Sequence, residues 1–339
     1  MKSIALLVLL LSSHLYAECV HEKIFSGFEL QMQKKNHKVF VEKDNGIYEE
    51  LLSNKINSLQ FYRAQLVKKS NHSEGDFTRY NQKYVEYYRY QNIIDFMNST
   101  RTNFASLGYE ISVIGKSLKG RDLYAVKPKN FDSNKKTIVM FGRHHGNEGT
   151  ANWIIEGFIN EFLSATEDFH ENYQLLLYPM VNPDGAEAMS RYNENGRDLN
   201  RSWGFDITDT YDEAKVIHRN LKPYMKYKSN MPIFLDMHGS FTEDFIYRVK
   251  KNYVDISFFN RQQEFIDELA GYDIWQNGVS KLSNGHPKMA RLVMVNSYGL
   301  NAFTHETPRD IKLNSRSKRS KTDLYKQGIA IFQSITNIY

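Results

Sequence analysis

His145 and Glu148 stand in an H-x-x-E arrangement inside Arg143-His144-His145-Gly146-Asn147-Glu148, and His238 stands far downstream in Asp236-Met237-His238-Gly239. Imidazole nitrogen and carboxylate oxygen are the donors zinc takes when one coordination position must stay open. An H-x-x-E pair alone is a common accident of sequence, so the third donor, His238, is what turns it into a tripod. Hydrolysis also needs a carboxylate to move a proton, and Glu306 in Phe303-Thr304-His305-Glu306 is the candidate. A polar stretch from Arg191 to Arg201 supplies guanidinium groups suited to grip a carboxylate bidentately and to stabilise an oxyanion. Cleaving the last bond of a peptide requires both.

Each of these residues falls where a strand should end. The β-branched run at residues 137–141 stops at Gly142, and a helical pattern follows through Trp153, Ile154, Phe158, Ile159 and Phe162. Further strands are expected at 173–181, closed by Asn182-Pro183-Asp184-Gly185, at 231–237 just before His238, and at 299–304 just before Glu306. Helices are expected at 213–225, 255–269 and 321–338, and residues 109–114 and 122–127 read as a hairpin. Alternating strands and helices predict an α/β fold, an α/β/α sandwich on a mixed, mostly parallel central sheet. Ligand sites in such sheets lie beyond the carboxyl ends of the strands.

The remainder of the chain bounds the reading. At 339 residues, 41% hydrophobic and 24% charged, it is ordinary globular material. Residues 1–17 have the form of a signal peptide: Lys2, an apolar run from Ile4 to Leu11, and Leu15-Tyr16-Ala17 before Glu18. Export to a periplasm or medium is therefore expected, with no membrane anchor. Glu18 stands where a lipoprotein cleavage site needs a small residue before Cys19, which argues against lipidation. A single cysteine excludes an internal disulfide and a thiolate metal site. The net charge of +5 is too small and scattered for a nucleic-acid partner, and a monomer is expected. Residues 18–82 are polar, with one amphipathic helix expected over 47–69 (Leu52, Ile56, Leu59, Tyr62, Leu66), and read as a helical extension or a removable prosegment. The tyrosines at 80, 84, 87, 88 and 90 mark a helix entry, and residues 83–339 make the catalytic domain. The basic run from Lys312 to Lys321 reads as a solvated loop.

Taken in order, HHGNE, NPDG, RYNENGRDLNRSW, DMHGS and FTHE resemble the motifs of the zinc carboxypeptidases of the carboxypeptidase A type, over roughly residues 84–339, and IGKSLKGRDLY resembles that family's leading hairpin. The resemblance implies one zinc ion held by His145, Glu148 and His238, with Glu306 as general base and acid and Arg191 polarising the scissile carbonyl. It implies that Asn200 and Arg201 bind the terminal carboxylate of the substrate, and that Asp198 orients His145. Asn147 departs from the pattern, standing where the digestive enzymes carry an arginine. Neither Tyr272 nor Tyr298 is a secure match for the family's capping tyrosine. Arg291 lies at the pocket-floor interval before Glu306, where a cation favours an acidic side chain. His144 reads as a residue behind the metal or on the surface, His305 and Trp203 as structural, and Asp236 as either a buried structural acid or a group behind the metal. The compact, disulfide-free, exported form is similar to bacterial members that trim peptidoglycan stem peptides, so a peptide or muropeptide substrate is implied. GNEGTANWIIEGF also resembles the deglutamylating branch. The alternatives are an aspartoacylase-like amidohydrolase, which the FTHE and NPDG segments oppose, and a catalytically silent binding module of the same fold.

Overall fold

A computed structural model describes residues 23–26, 30–31, 37–44, 47–51, 55–57, 61–68, 87–204, 212–240, 243–308 and 321–339. The leader at 1–17, Cys19, residues 80–86 of the tyrosine-rich run and residues 312–319 of the basic run lie outside the described residues.

Strand β7 (Lys136–Gly142) is buried along nearly its whole length, as expected of a parallel strand covered on both faces. Its side chains alternate. Ile138 and Met140 join one apolar cluster, with Ile154 and Phe158, while Val139 and Phe141 join a second, with Ile217 and Leu292. Two cores on opposite faces of one sheet are what a sandwich requires. Its eight strands are β5 (Tyr109–Lys116), β6 (Asp122–Pro128), β7, β8 (Tyr173–Tyr178), β9 (Ile233–Ser240), β10 (Phe245–Arg248), β11 (Ser280–Leu282) and β12 (Ala302–Pro308). They lie in the order β11-β10-β12-β9-β7-β8-β6-β5. The pairs β8-β7, β7-β9, β9-β12 and β10-β11 are parallel, and β5-β6, β6-β8 and β10-β12 antiparallel. The expected mixed, mostly parallel sandwich is present.

The covering helices are α1 (Tyr90–Ser106), α2 (Thr150–Ser164), α3 (Glu167–Asn172), α4 (Pro183–Ala188), α5 (Glu213–Leu221), α6 (Ile256–Tyr272), α7 (Ala290–Tyr298) and α8 (Lys321–Ile338). Helix α5 stops short of the expected residue 225 because Pro223 cannot continue the α-helical ladder, and a 3-10 segment, Lys222–Asn230, follows. Residues 299–304 do not begin the last strand as expected. Gly299 instead ends α7 in the left-handed conformation at φ 70°, so β12 starts at Ala302 and Glu306 lies within it. Helix α7 and the short strands β10 and β11 had no counterpart in the sequence reading.

The expected helical extension is a correction. Ile47–Glu50 (β3) and Phe61–Lys68 (β4) are strands, and with Lys23–Ser26 (β1) and His37–Asp44 (β2) they form an antiparallel sheet of order β1-β4-β2-β3. Leu30, Val39, Val41, Leu51, Ile56 and Ala64 make its small core. The three-and-four spacing across 47–69 spans a break between two strands. The competing signals were alternation at Val39 and Val41 and the Asn45-Gly46 dipeptide between β2 and β3, which favours a tight hairpin.

Candidate metal centre

Three parallel strands deliver the site. Parallel pairing sets Glu306 on β12 directly beside His238 on β9, and β7 lies on the other side of β9 with Gly142 opposite Met237. Between β7 and α2 the chain turns sharply at Arg143, a non-glycine residue in the left-handed region at φ 64°. Its buried guanidinium stabilises that turn: Nε donates to the Gly146 carbonyl (2.9 Å), Nη1 to Asn152 Oδ1 (2.8 Å) and Nη2 to the Tyr88 carbonyl (2.7 Å). A Cβ on Gly146 would sit 1.9 Å from the Gly185 backbone, so only glycine permits this close approach. Moulded this way, the loop turns His145 and Glu148 toward His238.

The donor atoms converge. His145 Nδ1 lies 3.2 Å from His238 Nδ1, and each nitrogen lies 2.9 Å from an oxygen of Glu148. A tetrahedral zinc site with bonds of about 2.0 Å needs ligand atoms about 3.3 Å apart. Two imidazole nitrogens and a carboxylate at that spacing can turn their lone pairs on a single cation. On the outer side, His145 Nε2 lies 3.1 Å from Asp198 Oδ1 and His238 Nε2 lies 2.9 Å from Asp236 Oδ2. A metal-bound imidazole characteristically has such a carboxylate on its second nitrogen. The residues present therefore fit zinc. Burial raises the Glu148 carboxyl, but His145 and His238 outweigh that and hold it well below the usual range. Burial likewise opposes ionisation of Asp198, and His145 and Arg191 overcome it.

A cleft of about 420 Å³ opens over the tripod. Glu306 lines it, and burial, only partly offset by His238, pushes its carboxyl up to about 7. Arg191 lines it as well, its guanidinium held on Asp198 Oδ2 by Nη2 at 2.7 Å and Nε at 3.2 Å. Arg201 faces the cleft beside it, steadied by a bond from Nη1 to the Asn200 carbonyl. Asn200 is buried with both ends of its amide engaged. Oδ1 accepts from the Ala290 backbone N–H, and Nδ2 lies 3.1 Å from His238 Nε2 and 3.4 Å from Asp236 Oδ2. Arg291 is wholly buried behind the wall made by Tyr247 and Ser283. Nη2 donates to the Ser283 carbonyl, and Nε and Nη1 have no hydrogen-bond partner among the described residues. Burial lowers its guanidinium to about 10.

The sequence reading placed nine residues at this site, and the structure gathers all nine in or directly behind the cleft. It left out Tyr247, Lys281 and Ser283, which line the wall from β10, β11 and the residue after β11. No motif announced them, because strands of three and four residues carry little sequence signal. The two tyrosines weighed as a cap lie elsewhere: Tyr272 bonds Asn337, and Tyr298 is buried against His218. His144 is fully buried, so its surface reading is withdrawn, and Trp203 is core as expected. His305 faces away from the cleft, 4.0 Å from Asp273.

Residues 93–257 match the family model described as zinc carboxypeptidase. The chain is 25% identical over 161 residues to cytosolic carboxypeptidase 3 of Mus musculus, a match covering 45% of this chain and 16% of that protein. It is 33% identical over 113 residues to cytosolic carboxypeptidase 1 of Xenopus laevis, covering 31% of this chain and 9% of the relative. The chain thus spans a small fraction of the relatives' length. Its fold is shared with a metallo-carboxypeptidase from Burkholderia cenocepacia, at TM-score 0.66, 14% identity and coverage of 93% of this chain and 84% of that one. It is shared equally with a metallo-carboxypeptidase from Pseudomonas aeruginosa, at TM-score 0.63, 17% identity and coverage of 94% and 86%.

Proposed function

Because the chain carries a zinc carboxypeptidase domain, we propose that it is a metallocarboxypeptidase that removes the C-terminal residue of a peptide, with one zinc ion at His145, Glu148 and His238. The observation that carries this reading is the pairing of the convergent tripod with Glu306, one strand over from His238 and inside the same cleft. Zinc held by His145, Glu148 and His238 would supply Lewis-acid chemistry, polarising a carbonyl and acidifying a water. Glu306 takes the proton from the attacking water and returns it to the leaving amine. Burial raises its carboxyl to about 7 in the metal-free protein, and a bound dication would bring it down toward the ionised form that the first transfer needs. Arg191 offers its guanidinium to the developing oxyanion, and Arg201 grips the terminal carboxylate of the substrate. Asn200, with both ends of its amide engaged, supports the frame around His238.

The side-chain preference follows from Arg291. A buried, positively charged guanidinium behind the cleft wall, with two nitrogens that lack a hydrogen-bond partner among the described residues, supports a preference for an acidic residue at the substrate's end through charge attraction across that wall. Acidic protein tails present such an end, and the stem peptides of a cell wall are the alternative substrate. The second goes with export, which we also propose from residues 1–17. The zinc-loaded full chain is to be incubated with peptides ending in Glu, Asp, Leu, Phe or Lys and with muropeptides, and the products read by mass spectrometry. Release of single C-terminal residues, acidic ones fastest, is expected, and it stops with a chelator or with Glu306→Gln. A zinc-loaded chain that trims none of them is the binding module instead.

A further inference from the structure

We propose that His144 is a positioning residue for the metal tripod, the centre of a buried chain Trp203–His144–Asp236–His238 that dictates which nitrogen of His238 faces the cage. This rests on the zinc reading above and goes beyond it. The direction of every link follows from chemistry. An indole N–H only donates, and Trp203 Nε1 lies 2.8 Å from His144 Nε2, so Nε2 accepts and bears no proton. The single proton of the imidazole is therefore on Nδ1, 2.7 Å from Asp236 Oδ1, and is donated there. The other oxygen, Asp236 Oδ2, lies 2.9 Å from His238 Nε2 and takes its N–H, while the Asn200 amide, 3.1 Å from that nitrogen, donates to the same oxygen at 3.4 Å. That leaves the lone pair of His238 on Nδ1, the nitrogen that meets His145 Nδ1 and Glu148.

The packing holds this chain rigid. His144 and His238 stack with ring centroids 5.4 Å apart and planes 4° from parallel, and Trp203 stacks on Phe141 at 4.9 Å. All four members of the chain are buried to within 1%. Without His144, Asp236 Oδ1 becomes an unsatisfied buried anion, and the carboxylate is free to rotate away from His238. The trio His144, Asp236 and His238 also has donor spacing that could hold a metal. Both nitrogens of His144 are already committed, to Trp203 and to Asp236, so that trio serves the tripod as support.

The test uses the full chain with zinc affinity measured by competition with a chromogenic chelator, and the visible absorption of the cobalt-substituted protein as a probe of ligand geometry. His144→Phe keeps the ring packing and removes both links; Trp203→Phe keeps the stack on Phe141 and removes one donor. A loss of zinc affinity of roughly 10–100-fold is expected for His144→Phe, with a smaller loss for Trp203→Phe and a shifted cobalt band in both. If His144→Phe does not fold, Trp203→Phe decides alone. Unchanged affinity overturns the proposal, and so does a loss of affinity with an unchanged cobalt spectrum, which reports general destabilisation. A wild-type chain that binds no zinc is a different failure, that of the metal reading itself.

Discussion

Replacing Glu306 by glutamine is expected to slow hydrolysis severely and, in the metal-free protein, to raise stability. Glu306 stands on β12 beside His238, and burial moves its carboxyl from an ordinary 4.5 up to about 7. With the folded value above the unfolded one, both states are protonated below about pH 4.5 and the residue contributes nothing there. Between about 4.5 and 7 the unfolded chain gives up its proton first, so folding loses free energy as pH rises. Above about 7 the deficit is complete and constant, and at about 1.4 kcal/mol per pH unit it amounts to roughly 3 kcal/mol. Glutamine has nearly the same shape and cannot ionise, so it escapes the deficit. Urea unfolding of chelator-treated wild type and Glu306→Gln, at about pH 5 and about pH 8, measures this. The variant should be more stable by roughly 3 kcal/mol at the higher pH and by about 1 kcal/mol or less at the lower. Zinc should shrink the difference, because a dication beside the carboxylate favours its ionised form. Turnover of the zinc-loaded variant should fall by about 10²–10⁴-fold. A gain of the same size at both pH values, or none at either, would show that the carboxylate is not held in a desolvated site, and the account of its poise would be wrong.

Arg291→Met should lower kcat/KM for peptides ending in Glu by roughly 10–100-fold, the worth of a buried unit charge a short distance behind the wall, and leave peptides ending in Leu nearly unchanged; equal losses on both would remove Arg291 from selectivity. Asp198→Asn should weaken zinc binding by roughly 10–100-fold in chelator competition, since Asp198 holds both His145 and Arg191, and an unaltered affinity would contradict that. Gly157→Ala should destabilise the fold by roughly 1–3 kcal/mol in thermal denaturation, because its Cβ would lie 2.3 Å from the Tyr325 carbonyl where α2 crosses α8. An unchanged Tm would mean that the helices can separate at no cost.

Periodicity and motif order carried the sandwich and the tripod. An apolar run such as 137–141 can only be a strand covered on both faces, and the metal donors follow such runs at short, local intervals. The same kind of pattern misled at 47–69, where spacing by three and four straddled two strands whose pairing is settled with β2, a partner distant in sequence. Gly299 illustrates a smaller version. A glycine before an apolar stretch reads as the start of a strand, but here it closes α7, a helix whose Arg291 and Leu292 are buried among residues from other parts of the chain.

His145, Glu148, His238 and Glu306 could be named from order and type alone, since the chemistry of zinc demands those atoms and the strand ends bring them together. Tertiary structure alone decided what stands behind them. That Asp236 faces both His144 and His238, that Trp203 settles a tautomer from 59 residues away, and that two buried nitrogens of Arg291 have no hydrogen-bond partner among the described residues are matters of a few tenths of an ångström. Distances of that kind arise from packing among segments with no neighbour relation in the sequence, and hydrogen-bond direction and burial depend on them.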